Sequence, residues 1–356
     1  MASVMKNIVS DSLCRRAEEA LRACLAEVPF GVIEDVSMSE SGLDRGVDLD
    51  VQYRIGTSLR RLFVQVKSSG QPRWARAAEL SLRVQVQSSP NAYGIFAAPF
   101  ITSETAAQLA DQGIGYVDFA GNCRLCFDAV YIRREGRTNP FTEKRDLRSL
   151  YSPRAERVLR VLSQDPKRSW KVQELARAAE VSIGLVSNVK RLLQDRDWLS
   201  TDNEGMRLTQ PRKLLEEWRE TYALKRNRRY EFFTLDPTAN VERRIADASQ
   251  EASSHYALAA FSAAARYAPS VRYQRAFAYV EDARTIAKSL SLKPVDSGAN
   301  VTLLEPYDTG VYLSVQEIDG IALTSPLQTY LDLLGLRGRG EEAAEALLRD
   351  VLEPTW

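Results

Sequence analysis

Four polar side chains at a two-residue spacing offer hydrolytic chemistry. Asp48 and Asp50 alternate in GVDLDVQYRI (46–55), and Gln65 and Lys67 alternate in RRLFVQVKSS (60–69). Side chains two apart share one face of a β-strand, so each pair lies on one face of its own strand. If the two strands pair as a hairpin, a carboxylate, an amide oxygen and an ammonium converge. Asp48 and Gln65 would then hold a magnesium ion, and Lys67 would face the attacking water or the scissile phosphate. Gln65 is neutral, so the ion is weakly held unless Glu18, Glu19 or Asp50 joins it. Asp118 and Asn122 in GYVDFAGN (115–122) either line the same cleft or form a turn between strands with Gly121 at positive φ; the turn is the preferred reading. Cys123 and Cys126 form a CRLC pair with no second pair at zinc spacing, since Cys14 and Cys24 stand within a helical stretch, and both are read as buried structural thiols. His255 is the only histidine, which removes His-based metal sites and Ser/His/Asp triads and leaves a partly buried ring as its expected role.

GVDLD followed by FVQVK resembles the Asp and xxK strands of the PD-(D/E)xK nucleases, in the Gln-x-Lys variant of the Mrr-type restriction branch. The resemblance implies a restriction-endonuclease-like α/β domain over residues 1–145, with Glu18 or Glu19 standing where that family often places another acid. It implies magnesium-dependent cleavage of DNA at Asp48, Gln65 and Lys67 if the site is active, and otherwise a nuclease-like scaffold kept for shape. With the acid replaced by Gln65, the second is expected, with no cofactor.

The elements that would position these residues are legible from periodicity. A helix carries Leu13, Ala17, Leu21 and Leu25, and the two strands above follow it. A helix then spans about 72–88, NAYGIFAAPF is a strand, a helix capped by Ser103 follows, and GIGYVDFA and CRLCFDAVYIRR are strands. Residues 134–153, REGRTNPFTEKRDLRSLYSP, lack a period and read as a linker.

In WKVQELARAAEVSIGLVSNVKRLLQDRDWLS (170–200), Val172, Leu175 and Ala176 make one apolar helical stripe. Ile183, Val186, Val189 and Leu193 make a second, and only AAEVS separates them. Ser182 can cap the second helix. Its outward positions, Gly184, Ser187, Asn188, Lys190 and Arg191, are small or hydrogen-bonding and able to enter a major groove. WLSTDNEGMRLTQPRKLL (198–215) reads as strand, turn and strand, with residues 202–205 at the tip and Arg207 beyond it. Residues 150–225 are thus expected to form a winged helix-turn-helix that contacts double-stranded DNA through Ser182, Ser187, Asn188, Lys190, Arg191 and Arg207; protein docking is the alternative use of the motif. Residues 153–229 hold 18 Lys and Arg against 11 Asp and Glu in a chain of net charge +1, the sign of field that supplies salt-sensitive DNA affinity. KRNRR at 225–229 either extends that field or is a solvated run.

Residues 230–356 begin with a helix in NVERRIADASQEA and the Ala-rich YALAAFSAAARYA. They continue through RAFAYV, VTLLEP and GVYLSVQ as strands, and close with helices in SPLQTYLDLL and EEAAEALLRDVL. YALAAFSAAARYAP, RAFAYV and ALTSPLQTYLDLLGLRGRGEEAAEALLRD together resemble the C-terminal domain of AbiEi-type antitoxins of type IV toxin-antitoxin systems. The resemblance implies a transcriptional regulator whose winged helix represses its own operon and whose C-terminal domain counters a nucleotidyltransferase toxin. The chain departs from the simplest members by placing a nuclease-like domain first. No Gly-Ser followed by paired Asp residues is present, so no transferase chemistry is expected. Self-association is the alternative use of this domain, and Ala257, Ala260, Ala263 and Ala264 suit close helix packing in either case.

A chain of 356 residues with 44% hydrophobic residues can build two or three cores. No apolar run approaches the roughly 20 residues of a bilayer helix, and MASVMKNIVSDSLCRR lacks the apolar centre of a secretory signal, so a cytoplasmic protein is expected. The expected fold class is multidomain α/β: a restriction-endonuclease-like domain, a central winged helix-turn-helix and a C-terminal mixed α/β domain. Two functions of different class follow, a DNA-binding regulator and a metal-dependent endonuclease targeted by the winged helix, and the regulator is preferred.

Overall fold

The computed structural model describes residues 2–38, 47–140, 150–336 and 338–356, with side chains from residue 11 onward. The chain divides into two compact units, Met1–Arg145 with Asp195–Asp197, and Asp146–Gln194 with Trp198–Trp356. Much of the segment read as a linker lies outside the described residues.

The first unit is one seven-stranded sheet in chain order. Helix α1 (Ala2–Leu25) precedes β1 (Gly31–Met38), β2 (Leu49–Ile55) and β3 (Ser58–Val66), an antiparallel meander. Helix α2 (Pro72–Gln87) crosses to β4 (Ala92–Ala98), and α3 (Ser103–Asp111) crosses to β5 (Gly115–Asp118). Both crossovers give parallel pairs, which a tight turn cannot connect. Strands β6 (Cys123–Phe127) and β7 (Val130–Arg134) return as a hairpin. Cys14, Ala17 and Leu21 of α1 cover Leu49, Val51, Val64 and Ile95 on one face, while Ala75, Ala78 and Leu82 of α2 cover Phe63 and Phe96 on the other. Strand β4 is buried on both faces, so it reads as an unbroken apolar run.

Four details differ from the sequence expectation. Strand β1 went unread because, at the sheet edge, its residues are mostly exposed and carry no clear alternation. The cap of α3 is Thr102, whose hydroxyl accepts from the Thr105 amide at 3.3 Å, and Ser103 is the first helical residue. CRLCFDAVYIRR is two strands, reversed at Asp128 with φ 48°, a conformation short polar side chains tolerate. Cys123 is buried but Cys126 is exposed, and the partner of Cys123 is Cys24 on α1, their Sγ atoms 2.7 Å apart. That hydrogen bond, with the Arg134 guanidinium nearby, brings the Cys123 thiol down to about 7 against the opposing effect of burial.

The second unit opens with α4 (Pro153–Gln164), α5 (Val172–Ala178) and α6 (Ile183–Asp195). The hairpin β8 (Leu199–Thr201) and β9 (Met206–Leu208) follows, then α7 (Pro211–Thr221). Residues 211–215 are therefore helical, with Pro211 at a position where its missing amide costs nothing. A second seven-stranded sheet runs β13-β10-β14-β12-β11-β16-β15. Its members are β10 (Arg228–Phe233), β11 (Tyr256–Leu258), β12 (Ala276–Val280), β13 (Lys293–Pro294), β14 (Val301–Glu305), β15 (Gln316–Ile318) and β16 (Ile321–Leu323). Val241 and Ile245 of α8 (Thr238–Glu251) and Ile286 of α10 (Ala283–Ser289) pack on one face. The other face receives α9 (Ala260–Tyr267), α11 (Pro326–Leu334) and α12 (Gly340–Leu347), through Ala260, Ala264, Leu331 and Leu347. All four alanines singled out by sequence are buried, Ala257 on β11 and the other three on α9. GVYLSVQ is not one strand: Asp308 accepts from the Gly310 amide at 2.7 Å and winds Thr309–Tyr312 into a 3-10 turn ahead of β15. His255 is exposed rather than partly buried, its Nδ1 2.8 Å from a Glu281 carboxylate oxygen. Among the described residues no helix is long and apolar enough to cross a membrane.

Residues 150–225 and 230–356, read from sequence as separate domains, share one hydrophobic core in which Trp218 and Leu159 lie beside Phe277, Tyr330 and Leu331. A buried polar seam crosses the same boundary. Glu156 on α4 is fully buried and accepts from Arg226 Nη1 at 2.8 Å and from the Tyr307 hydroxyl. Arg160, one turn on, donates twice to Gln328 Oε1 of α11, at 3.0 and 2.6 Å. Gln328 Nε2 donates to Asp332 Oδ1 at 2.8 Å, and the hydroxyls of Tyr222 and Tyr279 donate to the same oxygen at 2.6 and 2.9 Å. Asp332 Oδ2 is buried with no hydrogen-bond partner among the described residues.

Burial raises the Asp332 carboxyl to about 6, although three donors oppose the shift. The folded chain therefore keeps a proton that the unfolded chain, at the ordinary carboxylate value of about 3.9, has released. The stability from this group is complete below about pH 4 and is lost as pH rises to about 6. Asp332→Asn, neutral at every pH, is expected to gain on the parent by about 2 to 3 kcal/mol between about pH 4 and 7, read by urea unfolding at both ends. A difference independent of pH would show that ionising Asp332 carries no penalty.

Candidate nucleic-acid interface

The turn between α5 and α6 is set by three local interactions. The Val181 amide donates to the Ala176 carbonyl at 2.9 Å, Glu180 takes φ 53°, and Ser182 Oγ accepts from the Leu185 amide at 3.3 Å, so the predicted cap is present. Val186, Val189, Leu192 and Leu193 face the core. Ile183, expected in that stripe, is 51% exposed because it opens the helix at the mouth of the turn, and Leu192 takes its place inside. The opposite face presents Ser182, Gly184, Ser187 and Arg191 to solvent, with Asn188 and Lys190 half-buried. Arg191 Nη2 donates to Asn188 Oδ1 at 3.1 Å, which orients the amide.

The hairpin behind this helix is pinned by Trp170, whose amide and carbonyl pair with Met206 at 2.8 and 2.9 Å. Asp202 Oδ1 accepts from the Glu204 and Gly205 amides at 2.9 and 3.0 Å and closes the tip. Gly205 has φ 150°, and a Cβ there would meet the Trp170 carbonyl oxygen at 2.5 Å, so only glycine fits. Arg207 alternates outward between buried Met206 and Leu208.

Two cations missed by sequence reading stand beside α6. Arg154 and Arg177 are exposed and, with Ser182, line an open groove of about 480 Å³ at the start of the helix. The signal was faint: Arg177 falls opposite Leu175 and Ala176 on a short helix, and Arg154 opens α4, a helix the sequence reading did not pick out. The run at 225–229 is neither free nor wholly solvated. Arg226 binds Glu156, Arg229 binds Glu231, and Asn227 is buried at the entry to β10.

In the first unit, β2 and β3 do pair, with Leu49 opposite Val64 and Asp50 opposite Phe63. Continuing that register sets Asp48 beside Gln65, on the face covered by α2. Gln65 is buried, and with its amide nitrogen donating to the Ala78 carbonyl at 3.1 Å, its oxygen accepts from Lys67 Nζ at 3.1 Å. Asp48 turns one carboxylate oxygen to the Val66 amide at 2.7 Å, and Asp50 binds Arg61. Helix α1 packs on the opposite face, and Glu18 pairs with Arg22 at 2.8 Å, so neither Glu18 nor Glu19 joins Gln65. These donors do not fit a magnesium ion, because the only neutral oxygen already faces an ammonium and both carboxylates carry other hydrogen bonds. Among the described residues no group of three His, Cys, Asp or Glu is placed to hold a metal. Asp118 forms the expected turn, accepting from the Asn122 amide at 2.8 Å with Gly121 at φ 99°.

Residues 207–353 match a family model described as a transcriptional regulator, the AbiEi antitoxin of a type IV toxin-antitoxin system. The match begins in β9 and covers α7 and the second sheet, less than half of the chain. No curated protein matches, and no solved structure matches.

Gly184 sits in open space, since a Cβ there meets nothing within 4 Å. Gly184→Ala is expected to leave the fold intact and raise stability by up to about 0.5 kcal/mol. If this face lies against a DNA groove, the added methyl also weakens duplex binding in a filter or anisotropy assay. Undiminished binding would place the DNA contact elsewhere.

Proposed function

We propose that this protein is a DNA-binding transcriptional regulator of the AbiEi antitoxin type. In this reading residues 150–225 are a winged helix-turn-helix whose α6 enters the major groove, and residues 230–356 meet a cognate nucleotidyltransferase toxin. The observation that carries it is the family match over residues 207–353, which starts directly behind α6 and shares its hydrophobic core. Arg154, Arg177, Lys190, Arg191 and Arg207 supply phosphate contacts, and Asn188 and Ser187 read base edges. The first unit is a nuclease-like scaffold acting as a second grip, with Lys67 directed at backbone phosphate. The protein works in the cytoplasm and needs no cofactor.

In the full-length protein, Asn188→Ala is expected to lose about 1 to 3 kcal/mol of preference for its own promoter over a scrambled duplex. Lys190→Ala and Arg207→Ala should weaken both duplexes alike and flatten the salt dependence. Unchanged binding in all three, with circular dichroism intact, would dismiss α6 as the reader. Lys67→Ala should lower affinity modestly, and full-length protein should co-purify with a nucleotidyltransferase encoded beside it. Nicking of supercoiled plasmid with magnesium or manganese that vanishes in both Asp48→Ala and Lys67→Ala would replace this reading with the endonuclease.

A further inference from the structure

The second sheet carries a pocket of about 490 Å³ that the DNA-reading face does not use. Arg229, Arg272, Arg275 and Arg339 line it, no carboxylate is among the lining residues, and Phe261 and Tyr273 contribute aromatic walls. The four arginines come from three separate stretches: the start of β10, the loop leading into β12, and the residue preceding α12. Gathering four like charges works against folding unless counter-charges stand nearby. The fold supplies two from outside the pocket. Glu231 binds Arg229 and lies 3.5 Å from Arg275, and Glu342 lies 2.9 Å from Arg339. Arg272 has no carboxylate partner among the described residues, so the pocket retains a positive excess.

The loop bearing Arg272 is held in place. Glu242 is fully buried and accepts from the Tyr273 hydroxyl at 2.9 Å and from Arg266 Nη2 at 2.8 Å. Tyr273 is thereby fixed against the pocket and Arg272 beside it is presented at the rim.

We propose that this pocket binds a nucleotide, with phosphates on Arg272, Arg275 and Arg339 and the base against Phe261 and Tyr273. The planar guanidinium fork matches phosphate oxygens two at a time, and an aromatic wall accepts the flat face of any base. The volume falls within the range of about 300 to 1,000 Å³ usual for small-molecule sites. The same chemistry is offered by a free mononucleotide and by the 5′-phosphorylated end of a single strand. Simple anions use the guanidinium groups and leave the aromatic walls idle.

The test uses full-length protein and fluorescence anisotropy with N-methylanthraniloyl ATP and GTP. Competitors are unlabelled ATP and GTP, inorganic phosphate, and hexathymidylate with and without a 5′-phosphate. Saturable binding is expected, with displacement by nucleotide far stronger than by phosphate. Arg272→Ala should lower affinity about tenfold, and Arg272→Lys by less. Arg272 is exposed, so both variants should fold. Displacement by ATP or GTP identifies a free nucleotide, and displacement only by the 5′-phosphorylated oligomer identifies a strand end. Absent saturable binding, equal displacement by phosphate, or full affinity in Arg272→Ala would overturn the proposal. Duplex binding measured in parallel should depend on Lys190 and not on Arg272; a nucleotide signal lost in Lys190→Ala instead would belong to α6 and overturn it as well.

Discussion

The second unit depends on a buried ionic seam, Glu156 and Arg160 on α4 joined to Gln328 and Asp332 on α11. Breaking one member of such a pair strands the other charge away from water, at a cost of about 3 to 5 kcal/mol, whereas leucine–leucine contacts tolerate sliding. The seam thus does what apolar packing alone does poorly, which is to fix one orientation. Helix α4 packs behind α5 and α6, so the helix with the outward Ser187, Asn188 and Lys190 is held at a set angle to the C-terminal sheet. Arg157 adds a second tie from the same helix, 2.7 Å from Asp308.

Under the proposed function, that shared core bears on how DNA binding would couple to a protein partner. A separate reading head on a flexible tether would transmit nothing from the C-terminal sheet. Here Trp218, Leu331 and Phe277 belong to one core, and a ligand that alters the sheet must also act on the helices packed against it. The arginine-lined pocket opens on this sheet, near the loop pinned by the buried Glu242.

The first unit shows how much chemistry a sheet can position without completing a site. The hairpin register brings Gln65 and Lys67 to one face and sets Asp48 next to them. Yet Gln65 accepts from Lys67, Asp48 from the Val66 amide, and Asp50 is taken by Arg61. Each polar group is satisfied locally, which stabilises the hairpin and leaves an ammonium rather than a metal as the residual charge.

The sequence by itself determined the elements whose signals are local and strongly periodic, and not the edge strand β1 or helix α4. The period of 3.6 marked α6, the period of two put Gln65 with Lys67, Ser182 announced a cap, and Gly121 sits where the backbone needs positive φ. Only tertiary structure decided the rest. Ile183 and Leu192 lie on opposite flanks of the apolar stripe of α6, and the tertiary packing buried Leu192 and left Ile183 exposed at the mouth of the turn. Cys123 chose Cys24, ninety-nine residues away, over Cys126 three residues on. The joining of the central helices to the C-terminal sheet rests on Arg160 meeting Gln328 across 168 residues. The arginine pocket is assembled from three stretches whose individual arginines look like any solvated surface. Such pairings depend on where the chain returns in space, and a short-range pattern carries no record of that.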